Sequence, residues 1–485
     1  MELMNRFCPR ILSACFVLIL FMAPVANGQD MIEHPLTDLD GFQAPADNWR
    51  IVGAIEADRH GVADIQTTDG DGILLNMPSD GARENLFTMW EHGDIELSFE
   101  FMMPKGSNSG VYLQGRYEIQ LFDSWGVPNP TYSDAGGIYQ RWDPARNEGE
   151  RGYQGHPPSM NVSRAPGLWQ DFYILFQAPR FDAEGRKVSN AKMVKVAQNG
   201  VVIHENVELT GPTRAAGFSD EQALAPIMIQ GDHGPVALRN IRYNLHLPAA
   251  AEDEKPPRFV PAIHVEPTSE AEVIRGFVNH DGAKKTRTIS VGDPDGVHYV
   301  MDSAQGAVLY AWKGRFIETT DMWHSRGTQQ LAVPRGSVLT FSGRPAVARL
   351  ESDSIVWPDS MGADYVFKGY DLDADSRPSF HYTMSDVTIT DRLLPGDNGR
   401  QLEREIVVSG DDSGSSEIWV LVAAATTISE GDDGVFRMEG NTYYLELLDS
   451  GGGEAIIRAL DEGEELLVPV SLSDGSATVR YALIW

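Results

Sequence analysis

Cysteine is almost missing from this sequence. Both cysteines among the 485 residues, Cys8 and Cys15, fall in the first fifteen positions. Those positions belong to a segment that we expect to be removed on export, so the mature chain has no cysteine, which excludes disulfides and thiolate metal sites. Stability must therefore come from burial, in a chain long enough for two or three domains.

Positive charge is also scarce. The sequence has 39 Lys and Arg residues against 70 Asp and Glu residues, which gives a formal net charge of −31 at pH 7. A surface of this sign repels phosphate groups. We therefore expect no nucleic-acid partner and no anionic membrane partner.

Long apolar runs are limited to a single segment, residues 11–25. Arg6 and Arg10 precede this run and a small-residue pattern ending at Gly28 follows it, which predicts a signal peptide over residues 1–28, cleaved after Gly28. The run is shorter than the roughly 20 residues of a spanning helix. A secreted or periplasmic protein without a membrane partner is expected, although the segment ending in Cys15 also has the form of a lipobox.

Long helical patterns are missing as well, and short alternating segments replace them. Residues 94–101, 117–123 and 478–485 alternate apolar and polar side chains, as strands with one buried face do. Residues 248–272 contain five prolines and many charges, which indicates a linker. We predict an all-β protein with one sandwich domain over residues 35–247 and a second β-sandwich over residues 273–485.

One alternating strand has a face suited to sugar binding. Side chains on a strand point alternately to opposite faces. The polar face carries Arg116, Glu118 and Gln120, and the apolar face carries Tyr117, Ile119 and Leu121. Amides and Arg can bind sugar hydroxyls, and Trp125 shortly beyond can stack on a ring. The alternative is a solvated outer face with an Arg116–Glu118 ion pair.

Five blocks of the first half resemble a known family. They read NSGVYLQGRYEIQLFDSW, GGIYQRWD, NVSRAPGLWQDF, APRFDAEGRKVSNAKMVKVAQNGVVIHENVELTGPTR and PIMIQGDHGPVALRNIRY. They recur in this order in 3-keto-disaccharide hydrolase domains, also described as 3-keto-glucoside 1,2-lyase/hydratase domains. The resemblance covers about residues 40–247. It implies a concanavalin A-like jelly-roll sandwich that acts on glycosides already oxidised at C3, hence a saccharide substrate and an upstream sugar 3-dehydrogenase.

A C3 ketone acidifies the proton on C2, so a base can remove it while a general acid protonates the departing C1 oxygen. Water then adds to the resulting 2-hydroxy-glucal, and the two steps sum to hydrolysis. On the matching motifs, the catalytic candidates are Glu118, Asp123 and His233. The substrate-binding candidates are Asn108, Gln114, Arg116, Gln120, Trp125, Tyr139, Arg141, Trp142, Gln230 and Asp232.

No cofactor is assigned, although a divalent metal is compatible with the ligand types of His233, Asp232, Glu118 and Asp123. Three candidates also have purely structural interpretations. Asp123 follows the inward-pointing Leu121 and can cap the turn into Ser124. Asp232 and His233 lie in a glycine-flanked turn, where surface positions are common.

Two other functions remain open. Glu118 to Asp123 is similar to the E-x-D-x-x-E motif of family 16 glycoside hydrolases, but Gln120 replaces an acidic residue and Asp123 is shorter than the expected general acid. A retaining glycosidase needs carboxyl groups about 5–5.5 Å apart. A concave jelly-roll face can also bind saccharide without turnover, since a fold alone does not decide activity.

The second half resembles a β-rich region of secreted multidomain proteins, sometimes adjacent to c-type cytochrome domains, with an unknown role. The sequence has no C-x-x-C-H motif, so no covalent haem is expected.

Overall fold

The computed structural model describes residues 31–485 apart from 63, 248–260, 325–328, 411–416, 432–433, 439, 441 and 473–474. The predicted signal peptide, residues 1–28, lies outside the described residues. Residues 248–260 of the predicted linker also lie outside them.

The N-terminal part consists of short strands, as the alternating pattern predicts. In chain order these are β1 Ile32–Glu33, β2 Phe42–Gln43, β3 Trp49–Ala57, β4 Ile65–Asn76, β5 Leu86–His92, β6 Ile95–Met102, β7 Asn108–Leu113, β8 Tyr117–Phe122, β9 Arg141–Trp142, β10 Gly152–Tyr153, β11 Gln170–Gln177, β12 Arg180–Phe181, β13 Lys187–Ser189, β14 Ala191–Gln198, β15 Val201–Leu209, β16 Ala225–Ile229 and β17 Val236–Asn244.

Two antiparallel sheets form the N-terminal sandwich. An eight-stranded sheet has the order β15-β14-β11-β6-β17-β4-β3, with β1 paired to β17, and a five-stranded sheet has the order β2-β5-β16-β7-β8. Their facing side chains share one apolar core, which includes Phe99 and Phe172 from the larger sheet and Tyr117 and Ile119 from the smaller one. Burial alternates along β11 because the larger sheet has one face on this core and one nearer the surface.

The C-terminal part is also built from strands. These are β18 His264–Val265, β19 Glu272–His280, β20 Ala283–Gly292, β21 Val297–Asp302, β22 Ala307–Glu318, β23 Val333–Thr340, β24 Val347–Leu350, β25 Tyr365–Leu372, β26 Pro378–Met384, β27 Val387–Gly396, β28 Gln401–Ser409, β29 Glu417–Ala425, β30 Ile428–Glu430, β31 Val435–Met438, β32 Tyr443–Ser450, β33 Ile456–Ala459, β34 Glu464–Val470 and β35 Ser476–Ile484. The helix α1, Thr320–His324, and a 3-10 turn at Asp397–Gly399 interrupt them.

Three sheets surround one core in this part. Their orders are β18-β22-β21-β20-β19 with β23 on β22, then β24-β29-β34-β33, and β25-β26-β27-β28-β35-β32-β31-β30. Tyr299, Val420 and Tyr481, one from each sheet, are buried in the same cluster. The all-β prediction is therefore confirmed for both parts, and the C-terminal core joins three sheets rather than two.

The predicted linker ends earlier than its composition suggests. His264 and Val265 pair with Glu318 and Ile317 of β22, so the chain is already part of a sheet before residue 273. Proline content marks the start of the connection but does not mark its end, because a two-residue edge strand leaves no alternating pattern. In the described part of the chain, no helix has the length and hydropathy needed to cross a bilayer.

Candidate active site

The candidate site lies on the hairpin of β7 and β8. In its register, Gly110 pairs with Gln120 and Tyr112 pairs with Glu118. Directly opposite residues of an antiparallel pair have neighbouring side chains. The apolar side chains of β8 point into the sandwich core, so the predicted division of its two faces is confirmed.

The polar face of β8 is covered rather than open to solvent. A following segment runs along the strand: Gly136 N–H donates to Gln120 C=O at 2.9 Å and Tyr139 N–H donates to Glu118 C=O at 3.2 Å. The Glu118 and Gln120 side chains are only 3% and 4% exposed, so this face of β8 is buried as well as the apolar one. The Glu118 carboxyl group is therefore largely removed from water.

Burial raises the pKa of the Glu118 carboxyl to about 8, because a desolvated carboxylate is unfavourable. The Tyr112 hydroxyl opposes this shift by hydrogen bonding to the charged form, and the negative charge of Asp232 adds to it. Glu118 therefore carries its proton at pH 7, as a general acid should. A titratable group with such a shift is a candidate for a functional role.

Gly110 provides the space that Glu118 occupies. A Cβ atom at position 110 would overlap Glu118 Oε1, which lies over the glycine across the strand pair. Position 110 therefore needs a glycine because the Glu118 side chain approaches its backbone closely, and not because of an unusual backbone conformation.

Asp232 and His233 form a second ionisable group in the turn after β16. His233 Nδ1 lies 2.5 Å from Asp232 Oδ1, and both side chains are about half exposed. A proton on Nδ1 directed to the carboxylate leaves Nε2 free to accept a proton. Gln230 N–H donates to Gly110 C=O at 2.9 Å, which ties this turn to the strand beside Glu118.

Gln230 also connects the turn to the hairpin through its other groups. The Ser109 hydroxyl donates to Gln230 C=O at 2.8 Å, and the Gln230 amide nitrogen lies 3.2 Å from His233 Nδ1. The structure thus brings Glu118, Gln230, Asp232 and His233 together, as the matching motifs predict.

Aromatic side chains border the site. Tyr139 packs edge to face on Tyr132, with ring centroids 5.6 Å apart. The pKa of Tyr139 is raised by burial first and by the Glu118 charge second, while Arg214 opposes the shift. Trp142 is 40% exposed, and the Arg214 guanidinium lies 4.1 Å from its ring centroid. Tyr139 is close enough to Glu118 to respond to its charge, and the binding roles of Tyr139 and Trp142 stay predictions.

Asn108 and Gln120 lie beside Glu118 on the hairpin. Gln120 Nε2 donates to Asn108 Oδ1 at 3.1 Å and to Ser133 C=O at 3.3 Å, while Gln120 Oε1 is buried without a protein donor among the described residues. Arg141 is more committed: it donates to the Thr210 hydroxyl at 2.6 Å and to Gln154 Oε1 at 3.4 Å. It supports the β9–β10 hairpin.

Asp123 is bound within the turn that follows β8, and its catalytic role stays a prediction. Its carboxylate accepts from Gly106 N–H at 2.8 Å and from Trp125 N–H at 3.4 Å. β8 ends at Phe122, so Asp123 already belongs to the turn and caps it. The structural interpretation of this residue therefore holds.

The structure contradicts substrate-binding roles for Gln114 and Arg116. Both lie in the turn between β7 and β8, where strand alternation no longer applies. The Gln114 amide donates to the carbonyls of His92 and Ala223, each at 3.0 Å. Arg116 donates to Gln114 C=O at 2.7 Å and to Asp220, and it is 2% exposed. No Arg116–Glu118 ion pair forms.

Trp125 is not a stacking platform for sugar. Its indole N–H donates to Trp485 C=O at 2.9 Å, which places the ring against the C-terminal part of the chain. The alternation of β8 gives no information about Trp125, because the residue follows the end of the strand by three positions.

The four acidic and histidine candidates do not form a metal site. Among the described residues, no group of three or more His, Cys, Asp or Glu side chains is arranged to hold a metal ion. Asp123 is committed to its turn, and Glu118 favours its protonated form, which binds metals poorly. We derive no chemical step through a metal.

Two site residues were missed by sequence reasoning. Tyr112 contacts Glu118 because the two residues are paired across the hairpin. The sequence contains this signal, since the residues at equal distances on either side of the turn at 114–116 pair with each other. Arg214 reaches the site through a distant segment, where its N–H donates to Gln140 C=O at 2.8 Å. No local pattern indicates that contact.

The site thus places a buried carboxyl group of raised pKa near aromatic side chains on an all-β sandwich. Residues 37–244 match the sequence profile described as the 3-keto-alpha-glucoside-1,2-lyase-like domain. The matched segment covers less than half of the chain.

Solved structures similar to the chain include two Parabacteroides distasonis proteins described as proposed glycosyl hydrolases. One has 24% identity, covers 46% of this chain and 93% of its own, and has a TM-score of 0.30. The other has 18% identity, covers 44% of this chain and 98% of its own, and has a TM-score of 0.29. No protein of curated function matches this chain.

Proposed function

We propose that this protein cleaves 3-keto-glycosides by elimination of the C1 substituent followed by addition of water. The observation that carries the proposal is the protonated carboxyl of Glu118 beside the Asp232–His233 pair. A protonated carboxyl group can give a proton and an imidazole nitrogen can take one, so the site holds a candidate acid and a candidate base.

Each group has a role in the elimination. His233 Nε2 takes the proton from C2, which the C3 ketone acidifies, while Asp232 stabilises the resulting imidazolium. The electron pair forms the C1–C2 double bond, the C1–O bond breaks, and Glu118 gives its proton to the departing oxygen. Water then adds at C1 as Glu118 accepts a proton, and His233 returns a proton to C2, so the sum is hydrolysis.

Negative charge develops on the ketone oxygen during proton removal, and hydrogen-bond donors stabilise it. The Tyr139 hydroxyl, whose pKa responds to the Glu118 charge, and the Gln230 amide, 3.2 Å from His233 Nδ1, are the donors assigned to this role. Trp142, partly exposed below Arg214, provides a flat apolar surface for a pyranose ring.

The two other functions account less well for the geometry. A family 16-like retaining mechanism needs a second carboxyl group close to Glu118 on the same strand, and Asp123 is engaged in the turn instead. A non-catalytic saccharide-binding module has no need for a buried carboxyl group with a raised pKa.

Export and an upstream oxidation step are also part of this proposal. The substrate requires a C3 ketone, so an enzyme of the sugar 3-dehydrogenase class must supply it. The N-terminal segment, residues 1–28, would direct the chain to the periplasm or outside the cell, and the mass of the protein recovered from that compartment tests cleavage after Gly28.

The experiment that tests the proton donor compares two leaving groups. Nitrophenolate leaves without protonation, whereas an alkyl alcohol needs a proton from a general acid, which contributes about 10²–10⁴-fold to the rate. In Glu118→Gln, cleavage of an alkyl 3-keto-glucoside should therefore fall by about that factor, and cleavage of the nitrophenyl compound should fall much less.

Exchange of the C2 proton with deuterated water separates the base from the acid. Glu118→Gln should retain exchange at C2 of the alkyl substrate, and His233→Ala should lose it. Equal losses for both leaving groups in Glu118→Gln, or normal exchange in His233→Ala, would remove the roles assigned here.

A further inference from the structure

The turn that ends β8 is held by the C-terminal part of the chain. Trp125 lies in this turn, and besides its hydrogen bond to Trp485 its ring packs on the C-terminal core. Lys313 Nζ and Arg400 Cζ lie 5.5 and 5.4 Å from the ring centroid. Lys313 Nζ also donates to Arg400 C=O and Trp485 C=O, each at 2.7 Å. The tryptophan is thus surrounded by the C-terminal part.

A second N-terminal loop enters the same core. Ala165 and Leu168 are fully buried, and both belong to the apolar cluster formed by the three C-terminal sheets. The Tyr444 hydroxyl donates to Pro166 C=O at 3.0 Å. A Cβ atom at Gly167 would overlap that hydroxyl, so the chain approaches it as closely as a backbone can.

An ion pair lies at the edge of the contact. Arg59 Nη2 is 3.4 Å from Glu446 Oε2, and the Arg59 side chain is 9% exposed. Three separate N-terminal segments therefore contact C-terminal residues through apolar burial, hydrogen bonds and charge. Domains linked only by a flexible tether lack such a continuous buried surface, and relative motion is expected only when the interface is small or polar.

We infer that the C-terminal part, residues 261–485, associates firmly with residues 123–130 and 159–168 of the N-terminal sandwich. It thereby holds the turn that follows β8, the strand of Glu118. The kind of partner that fits this N-terminal surface is the C-terminal part of the same chain. The association does not need the peptide connection at residues 248–260. This inference does not depend on the reaction assigned to the site.

Cleavage of the connection tests the inference directly. A specific protease site inserted between Glu254 and Lys255 allows the purified full chain to be cut while it is folded. Size-exclusion chromatography with light scattering should show both fragments in one peak with the mass of the uncut protein. Two separate peaks at low micromolar concentration would overturn the inference, whether or not the protein cleaves any glycoside.

A matched pair of tryptophan variants tests which contact is responsible. Trp323 lies on α1 and is 71% exposed, so Trp323→Ala is the control for Trp125→Ala. We expect Trp125→Ala to lower Tm by at least about 4 °C and to let the cut fragments separate, because it removes a large, partly buried side chain that packs on the C-terminal core.

Trp323→Ala should behave as the unchanged protein does. Identical Tm values and intact association in both variants would contradict the assignment of Trp125 to this interface. Should Trp125→Ala yield no folded protein, the cleavage of the unchanged sequence decides the question alone.

Discussion

The Glu118 side chain is buried, and the side chain opposite it on the adjacent strand is the polar Tyr112. The carboxyl group lies beside the Tyr112 hydroxyl and has little access to water, which keeps it protonated up to a pH of about 8. A neutral carboxyl group can donate a proton at the pH where an ordinary Glu has already lost it. The residue therefore has one chemical property that serves the proposed reaction and costs stability at high pH.

Replacement of Glu118 by Gln should stabilise the protein at high pH. The pKa is about 8 in the folded state and 4.5 for an unperturbed Glu side chain, so ionisation favours the unfolded state increasingly between those values. Below pH 4.5 the two proteins should be equally stable. Above pH 8 Glu118→Gln should be more stable by up to about 5 kcal/mol, since one pKa unit corresponds to about 1.4 kcal/mol.

Urea unfolding at pH 5, 7 and 9 measures this difference, and Glu205→Gln on the exposed face of β15 is the control. A stability difference that stays constant over this pH range would show that Glu118 ionises normally in the folded protein.

Tyr112→Phe should move the pH profile of activity. The hydroxyl stabilises the charged form of Glu118, so its removal raises the pKa of Glu118 above its present value of about 8. The decline of kcat/KM at high pH, where the proton donor is lost, should move upward by about 1 pH unit. Tyr173→Phe is the control, because that hydroxyl binds Glu96 at 2.7 Å on the other sheet. A profile unchanged in Tyr112→Phe would mean that Tyr112 does not tune Glu118.

At the scale of elements, the β7–β8 hairpin positions the site through its register. The pairing of Tyr112 with Glu118 and of Gly110 with Gln120 fixes which side chains meet. A shift of one residue would turn Glu118 into the apolar core, so register and function are linked.

Gly110→Ala should damage the site and leave the fold in place. The added methyl group would overlap Glu118 Oε1, so the carboxyl group must move. We expect a loss of activity together with about 1–3 kcal/mol of stability, typical of overpacking. Gly81→Ala is the control, since no heavy atom lies within 4 Å of its added Cβ. Full activity in Gly110→Ala would show that the position of Glu118 is not critical.

Sequence reasoning was reliable inside strands and unreliable at their ends. Alternation correctly assigned the two faces of β8, because the side-chain period of a strand is local. Alternation also placed Arg116 on the polar face, but this residue lies in a turn, where hydrogen bonds to distant groups such as Asp220 determine its direction. The contacts of Arg214 and Trp125 depend on segments far away in the chain, and no local pattern contains that information.

At the scale of the whole molecule, the chain joins a sandwich that carries the site to a larger β region through a buried contact. The composition predicted an all-β chain, and the proline-rich segment predicted a division near residue 248. Neither could predict that Ala165 and Leu168 would be buried with C-terminal sheets, because a shared core depends on the packing of complete surfaces. The C-terminal part is therefore best described as support for the site-bearing sandwich.

The most direct test of the central claim is the release of nitrophenol from a nitrophenyl 3-keto-glucoside and from the corresponding unoxidised glucoside, followed by absorbance. The proposed elimination predicts release from the 3-keto compound alone, because only the ketone acidifies the C2 proton. Release from the plain glucoside would indicate ordinary glycoside hydrolysis, and release from neither would contradict the catalytic role proposed for this site.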